Sequence, residues 1–461
     1  MIRALRPAAA PAFLLLCLLL GGSTQGIWRN LVLQLAGIGL ILWSLFAAQR
    51  STPTPAARML LWLGIAWVGL CLLQLVPLPP GLWSALPGRA VVAEGFRLRG
   101  EALPWLPLSL SPAATLESLT VIAVPLGMLA AVLVLGAYRS RWCIAALVTG
   151  TSLSVLLGAL QLLQGGPYLY PQSNTGTAAG LFANSNHQAT LLLTTIPFLA
   201  ALVGNALRSS RRADPKARIS RVMIALGALA VVLMGIALNG SMAALVLAVP
   251  VLLASLALAL PKAGPGAKWL SLAAFLLLLG GVGGIAAFSE AGSSQTSVST
   301  RSDIYRRTVP AIVENFPVGT GLGSFERVYR LREDPAKVDS VFINHAHSDP
   351  LEWLLETGVP GLLLLLALLA WWLTRTIQLW RSEERELVPL AATIATAAIL
   401  GHSLVDFPLR DPAIQALFAL ALAFMAEPRS YEAQRRSARS NRGPVKAAKH
   451  LTLTDDGLVS A

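Results

Sequence analysis

The sequence predicts an all-α, polytopic membrane protein with about 12 transmembrane helices. Three observations lead there: the balance of apolar and charged residues, a dozen apolar runs of membrane-crossing length, and a strong bias in where the basic residues fall. Of 461 residues, 55% are hydrophobic and 13% charged, whereas an ordinary soluble domain has about 25% charged residues. A chain of this composition cannot cover its own surface with polar groups, which excludes a soluble enzyme. In hydrocarbon the backbone must satisfy its own hydrogen bonds, so the apolar runs are expected to be helices.

The runs fall at about 5–22, 31–48, 59–77, 115–137, 143–163, 189–207, 222–238, 241–260, 269–288, 359–380, 387–406 and 411–427. The first follows Arg3 and Arg6 as a signal peptide would. Gly21-Gly22-Ser23-Thr24-Gln25 is a poor small-x-small cleavage site, however, so the segment reads as a retained first helix. Cys17, Cys71 and Cys143 all lie inside runs, where they act as small hydrophobes and supply no disulfide framework.

The net charge of +13 suggests either nucleic acid or a membrane surface, and its placement decides. With the N-terminus in the cytoplasm, the cytoplasmic segments gather Arg3, Arg6, Arg50, Arg58, Arg139, Arg141, the cluster from Arg208 to Arg221, Lys262, Lys268, Arg375, Arg381, Arg385 and a basic tail. Outside the 289–358 segment, the other face has only Arg29, Arg89, Arg97, Arg99 and Arg410. This is the positive-inside pattern, and it explains the basic charge without nucleic acid. It puts both termini in the cytoplasm and leaves segments 78–114, 164–188 and 289–358 on the far side. The first of these is rich in Pro and Trp, as suits a membrane interface, and is assigned no chemistry.

Four of the five histidines, His187, His345, His347 and His402, fall in or beside the far-side loops, and His450 lies in the tail. Any one of them reads equally as an interfacial polar residue at a helix end. The 289–358 segment predicts a helix from Arg301 to Asn315, a glycine-punctuated turn, and His345-Ala346-His347-Ser348 leading into a second helix. Helical spacing puts Arg301, Tyr305 and Thr308 on one face, with Arg306 and Arg307 beside it. Arginine forks suit a diphosphate. Glu314, Glu326, Glu333 and Asp334 can equally neutralise these arginines as a solvated ion-pair surface, and both readings stand.

Pro317-Val318-Gly319-Thr320-Gly321-Leu322-Gly323 lacks the strand and the spacing of a phosphate loop and reads as a tight turn. His345, His347 and Asp349 fall short of a lasting metal site, so no metal or other cofactor is expected and one histidine is better cast as a general base. The span interiors are nearly free of charge, with Glu117 and Asp406 near far-side ends, which argues against a proton-coupled transporter.

Three stretches together resemble the O-antigen ligase and O-antigen polymerase superfamily of bacterial membrane glycosyltransferases. One is Gly180-Leu181-Phe182-Ala183-Asn184-Ser185-Asn186-His187-Gln188-Ala189. Another runs from Thr300-Arg301 through Pro317–Phe325 and His345-Ala346-His347-Ser348 to Gly358-Val359-Pro360-Gly361. The last is His402-Ser403-Leu404-Val405-Asp406-Phe407-Pro408-Leu409-Arg410-Asp411-Pro412-Ala413. Order and spacing agree over residues 115–427, which the resemblance makes the ligase-like membrane domain. It follows an N-terminal part, 1–114, and precedes a basic tail, 428–461, expected to be disordered. One departure stands out: the family's Ser-Arg pair corresponds here to Ser241-Met242.

The resemblance implies a GT-C-like fold in the bacterial inner membrane with its active site on the periplasmic side. It implies an undecaprenyl diphosphate-linked glycan as donor and a glycan or a lipid A core as acceptor, with membrane lipids and other polysaccharide assembly proteins as further partners. It casts the protein as a metal-independent, inverting glycosyltransferase in O-antigen or exopolysaccharide polymerisation. His347 and Arg301 would be catalytic, the first as general base and the second against the departing diphosphate. Arg306, Arg307, His345, Asn184, Asn186, His187, His402, Asp406 and Arg410 would line the substrate. Ligation to a lipid A core is the alternative within the family; a lipid-linked oligosaccharide flippase or transporter, with a polar cavity through the bundle, is the alternative outside it, and Met242 leaves an inactive scaffold in view.

Overall fold

The computed structural model describes residues 6–23, 28–47, 53–170, 174–208, 214–260, 295–335, 343–383 and 385–426. It is an all-α membrane protein. Among the described residues eight helices are long and apolar enough to cross a membrane, and three shorter apolar helices join them. They account for every expected span except 269–288, which lies outside the described residues, as does the 428–461 tail.

The helices are α1 (Ala9–Leu20), α2 (Trp28–Phe46) and α3 (Pro55–Leu75). Two short helices follow, α4 (Pro80–Trp83) and α5 (Ala90–Leu98), and then α6 (Pro112–Val121) and α7 (Ala123–Leu129). The core continues with α8 (Ser140–Gln164), α9 (Ser185–Arg208), α10 (Pro215–Asn239) and α11 (Met242–Ala259). The chemically rich segment holds α12 (Gln295–Asn315) and α13 (Phe325–Arg330), and α14 (Asp349–Arg381), α15 (Leu387–Ser403) and α16 (Pro412–Met425) close the bundle. Starts are set by local chemistry. Thr54 accepts the Ala57 N–H ahead of Pro55, and Asp214 accepts the Lys216 N–H ahead of Pro215. The span expected at 115–137 is split between α6 and α7, with Pro125 in the second piece unable to donate a helical hydrogen bond.

At the centre stands α9, packed on α8, α10, α11 and α15. The faces of α15 and α16 carry Ala391, Ala395, Ala398, Ala413, Ala416 and Ala423, all fully buried, and such small side chains let helices in lipid approach closely. In contrast α2, α3 and α10 expose Leu35, Trp62, Ile65, Ile224 and Met234, the apolar surface a lipid-facing helix needs. Cys17, Cys71 and Cys143 are free and buried.

One junction positions everything that follows. The α14 run is broken at Gly358, whose φ of +57° only glycine adopts at low cost. Pro360 has no N–H to offer the Glu356 carbonyl, and that oxygen instead accepts Gly321 N at 2.8 Å and Gln74 Nε2 at 3.0 Å. The Leu355 carbonyl likewise accepts Thr320 N at 3.0 Å, and Val359 N donates to Pro317 O at 2.9 Å. The glycine-rich run is therefore the clamp that holds the break open, and a Cβ on Gly319 would lie 2.7 Å from Gly358 N. Arg89, 2% exposed, locks the clamp from the Pro/Trp-rich segment, donating to Gly319 O at 3.0 Å and Asn315 Oδ1 at 3.0 Å.

Candidate active site

The motif before α9 folds back on itself first. Asn184 Oδ1 accepts the Asn186 N–H at 2.9 Å, an Asx turn that fixes the direction in which the helix leaves. Asn239, at the end of α10, holds the same turn by donating to Ser185 O at 2.8 Å. Asn186 and His187 are thereby aimed at the loop between α15 and α16, where Asp406 lies fully buried.

Asp406 is the hub. Asn186 Nδ2 donates to its Oδ2 at 2.5 Å, and Phe407 N donates to its Oδ1 at 2.9 Å. His347 Nδ1 stands 3.4 Å from Oδ1, and Arg301 Nη2 stands 3.6 Å from Oδ2. His187 turns one ring nitrogen to Asp411 at 2.7 Å and the other to Asp406 at 3.8 Å. Burial favours the neutral acid, but hydrogen bonds and charge from His187 and His347 outweigh it and hold the Asp406 carboxyl well below the usual carboxylate range. The side chains of Arg301 and His347 remain 25% and 30% exposed above this sealed carboxylate, so both can meet a substrate.

His347 is held in an unusual way. Its φ of +51° is a left-handed conformation that non-glycine residues seldom adopt and that is often found at functional sites. Tyr305, one turn after Arg301 on α12, donates its hydroxyl to His347 O at 2.9 Å. Burial raises the Tyr305 pKa, which keeps that donor protonated. The Phe407 ring lies against three imidazoles, with centroids 4.2 Å from His345, 4.7 Å from His187 and 5.0 Å from His347.

A second cluster backs onto the first. Arg410 donates to Glu356 Oε2 at 3.0 Å and lies 3.4 Å from Glu352 Oε1 and 3.6 Å from Asp349 Oδ1. Burial works against its charge, but the three carboxylates raise its pKa above the ordinary value. His345 Nδ1 is 2.9 Å from the same Glu352 oxygen. The two histidines of His345-Ala346-His347 thus turn to different carboxylates. Among the described residues no group of three His, Cys, Asp or Glu side chains has the arrangement to hold a metal ion.

The matched family now has a place on the fold. Residues 226–366 match the model of the O-antigen ligase family. The match bears out, over that segment, the resemblance to the O-antigen ligase and polymerase superfamily, and the helical bundle is that of a membrane protein. The matched segment contains Arg301, His345 and His347; the Asn184 motif precedes it and Asp406 follows it. A search of curated proteins gave no match.

The site brings together Arg301, His347, Asn186, His187 and Asp406 from four separate stretches of chain. Other expected site residues lie elsewhere. Arg306 points to the surface, 2.7 Å from Asp303, and Arg307 caps Arg332 O at 2.5 Å. His402 is fully buried with Nδ1 2.8 Å from Thr190 Oγ1. Met242, where the resemblance expects arginine, is 63% exposed in the first turn of α11. Three partners escaped the sequence reading: Asp349, Glu352 and Glu356 as the cage of Arg410. Their i, i+3, i+7 spacing on one helical face was the signal that could have found them.

Proposed function

We propose that the protein transfers a glycan from an undecaprenyl diphosphate-linked donor on the periplasmic face of the bacterial inner membrane, in O-antigen or exopolysaccharide polymerisation. The observation that carries this reading is the convergence of Arg301 and His347, both accessible, on the buried Asp406. With Nδ1–H directed at Asp406, the His347 Nε2 is the basic nitrogen. It takes the proton of the acceptor hydroxyl as that oxygen attacks the anomeric carbon. Asp406 orients the ring and stabilises the imidazolium that forms, as a buried carboxylate behind a histidine does. The bond from the anomeric carbon to the diphosphate oxygen breaks in the same displacement, with inversion, and Arg301 stabilises the charge left on the diphosphate.

In this reading Asn186 and His187 hold Asp406 rather than the substrate, and Arg410 and His345 support the loop that carries His347. Arg306 and Arg307, engaged by Asp303 and the Arg332 carbonyl, lie outside the donor contacts, and Asn184 and His402 act through the elements they brace. The wall of the cavity among the helices is mostly apolar, with its charged side chains gathered at one end, which favours a transferase over a flippase with a polar path through the bundle. A second reading has one specific support: the matched family is described as O-antigen ligase, so the acceptor would be a lipid A core.

The gel profile of surface glycan in a deletion strain separates the two. Loss of long chains with a single repeat retained indicates polymerisation, and loss of all lipid A-linked glycan indicates ligation. An unchanged profile would set both aside.

A further inference from the structure

His347 meets Asp406 at 3.4 Å. A charge-assisted hydrogen bond of full strength spans about 2.7–2.9 Å, so the carboxylate alone does not fix the imidazole. The backbone of His347 must contribute, and it is left-handed, with a φ of +51°. A residue other than glycine stays in that region only where its surroundings over-determine it. Residues 345–349 form a short strap with anchors on both sides of the base.

Ahead of the base, Glu352 in the first turn of α14 grips two successive residues. Its Oε1 lies 2.9 Å from His345 Nδ1, and its Oε2 accepts the Ala346 N–H at 2.8 Å. Ala346 is fully buried in one apolar cluster with Ile304, Phe325 and Leu355, which come from α12, α13 and α14. With that methyl seated, the two flanking histidines turn to different carboxylates, His345 to Glu352 and His347 to Asp406. Behind the base, Tyr305 donates to His347 O at 2.9 Å, and Asp349 N donates to Asp406 O at 3.2 Å. The last bond ties the strap to the loop that carries the carboxylate. Asp349 is itself held, its Oδ2 accepting Ser403 Oγ at 2.8 Å and Leu409 N at 3.1 Å.

We propose that Glu352 and Tyr305 are positioning residues for His347, the carboxylate setting the strap from α14 and the hydroxyl setting it from α12. Together they aim the ring at Asp406, and neither touches the substrate. The proposal rests on the transferase reading for the ring's part in transfer, and on the anchors alone for the ring's orientation. One rigid helix, α12, then carries both Arg301 and, a turn later, the anchor of the base, which fixes the spacing between cation and base. Glu356 is the natural contrast. It takes the shortest contact with Arg410, 3.0 Å, and accepts Phe325 N at 3.3 Å, yet among the described residues it makes no hydrogen bond to the strap.

The test pairs kinetics with nitrogen-15 NMR of the full chain, labelled at its five histidines, in nanodiscs. The His347 signal is the one lost in His347→Ala, and in the wild type it should report a proton on Nδ1 and a bare Nε2. Glu352→Gln leaves one acceptor oxygen for two donors. Its His347 signal should divide between tautomers, and kcat should fall by about 10²-fold, the cost of displacing a reacting group by about 1 Å, with donor KM within about twofold. Tyr305→Phe, which is milder and keeps the buried charges, should give the same spectral change and a fall in kcat of about threefold to tenfold, the loss of one hydrogen bond. Glu356→Gln disturbs the same guanidinium without touching the strap, so it should keep the wild-type His347 signal and lose about tenfold less in kcat than Glu352→Gln. A wild-type His347 signal in Tyr305→Phe, or equal losses in Glu352→Gln and Glu356→Gln, would overturn the proposal. The spectra need no turnover. A divided His347 signal in both strap variants, beside full transfer by His347→Ala, would count against the transferase reading and leave the anchoring of the ring standing.

Discussion

His347 and Asp406 face each other at 3.4 Å between Nδ1 and Oδ1, the imidazole partly open and the carboxylate sealed. In the proposed transfer, the ring nitrogen directed at the carboxylate carries the proton and the other takes the proton of the acceptor hydroxyl. It also puts a fixed negative charge where an imidazolium would form during proton transfer.

Asp406→Asn keeps the size of the side chain and removes the charge. The expected result is a fall in kcat of about 10²–10⁴-fold, the range general-base catalysis contributes, with little change in KM for the donor. Steady-state transfer by the variant in nanodiscs, beside a check that it inserts and folds, measures this.

Arg301 and Arg306 lie five residues apart on α12 and differ in what they face. Arg301 shares Asp406 with His347, and Arg306 pairs with Asp303 on the surface. Arg301→Ala is expected to lower kcat/KM by about 10²–10³-fold, as loss of one charge-stabilising donor does. Arg306→Ala should change it by less than about fivefold, the worth of an exposed pair. Parallel kinetics on the two variants provide the comparison.

Acid stability follows from Asp406. Its carboxyl is held below its unfolded value of about 4, so its contribution is fully present above that pH and is lost as pH falls through the folded value. Thermal unfolding from pH 7 to pH 3 should therefore show an acid-dependent loss in the wild type, beginning below about pH 4, that is smaller in Asp406→Asn, where Glu314, held low by Arg332, still contributes.

Arg410→Ala strands three buried carboxylates. Removing one partner of a buried charge cluster costs about 3–5 kcal/mol, so a large drop in unfolding temperature is expected. Adding Glu356→Gln to that variant should restore part of it, since Glu356 makes the shortest contact with Arg410, 3.0 Å. Scanning calorimetry of the single and double variants checks both.

The helices were legible because hydropathy over a membrane-long window is a local property, and the glycine-rich turn was legible because its residues have few other uses. The face shared by Arg301 and Tyr305 was also readable from helical spacing, and both side chains do reach the His347–Asp406 region. The hub was not readable. Asp406 is assembled from positions 186, 301, 347 and 406, and nothing local says that a loop aspartate will be sealed beneath them. Arg410 was expected to line the substrate, and the partners the structure gives it come from a helix more than fifty residues earlier. Arg89, in a segment assigned no chemistry, braces the turn through carbonyl oxygens, which leave no trace in sequence.

Transfer by His347→Ala in nanodiscs supplied with lipid-linked donor is the most direct measurement. A loss of about 10²–10⁴-fold in product formation, with donor binding retained, is the predicted result. Full transfer by the variant would contradict the account.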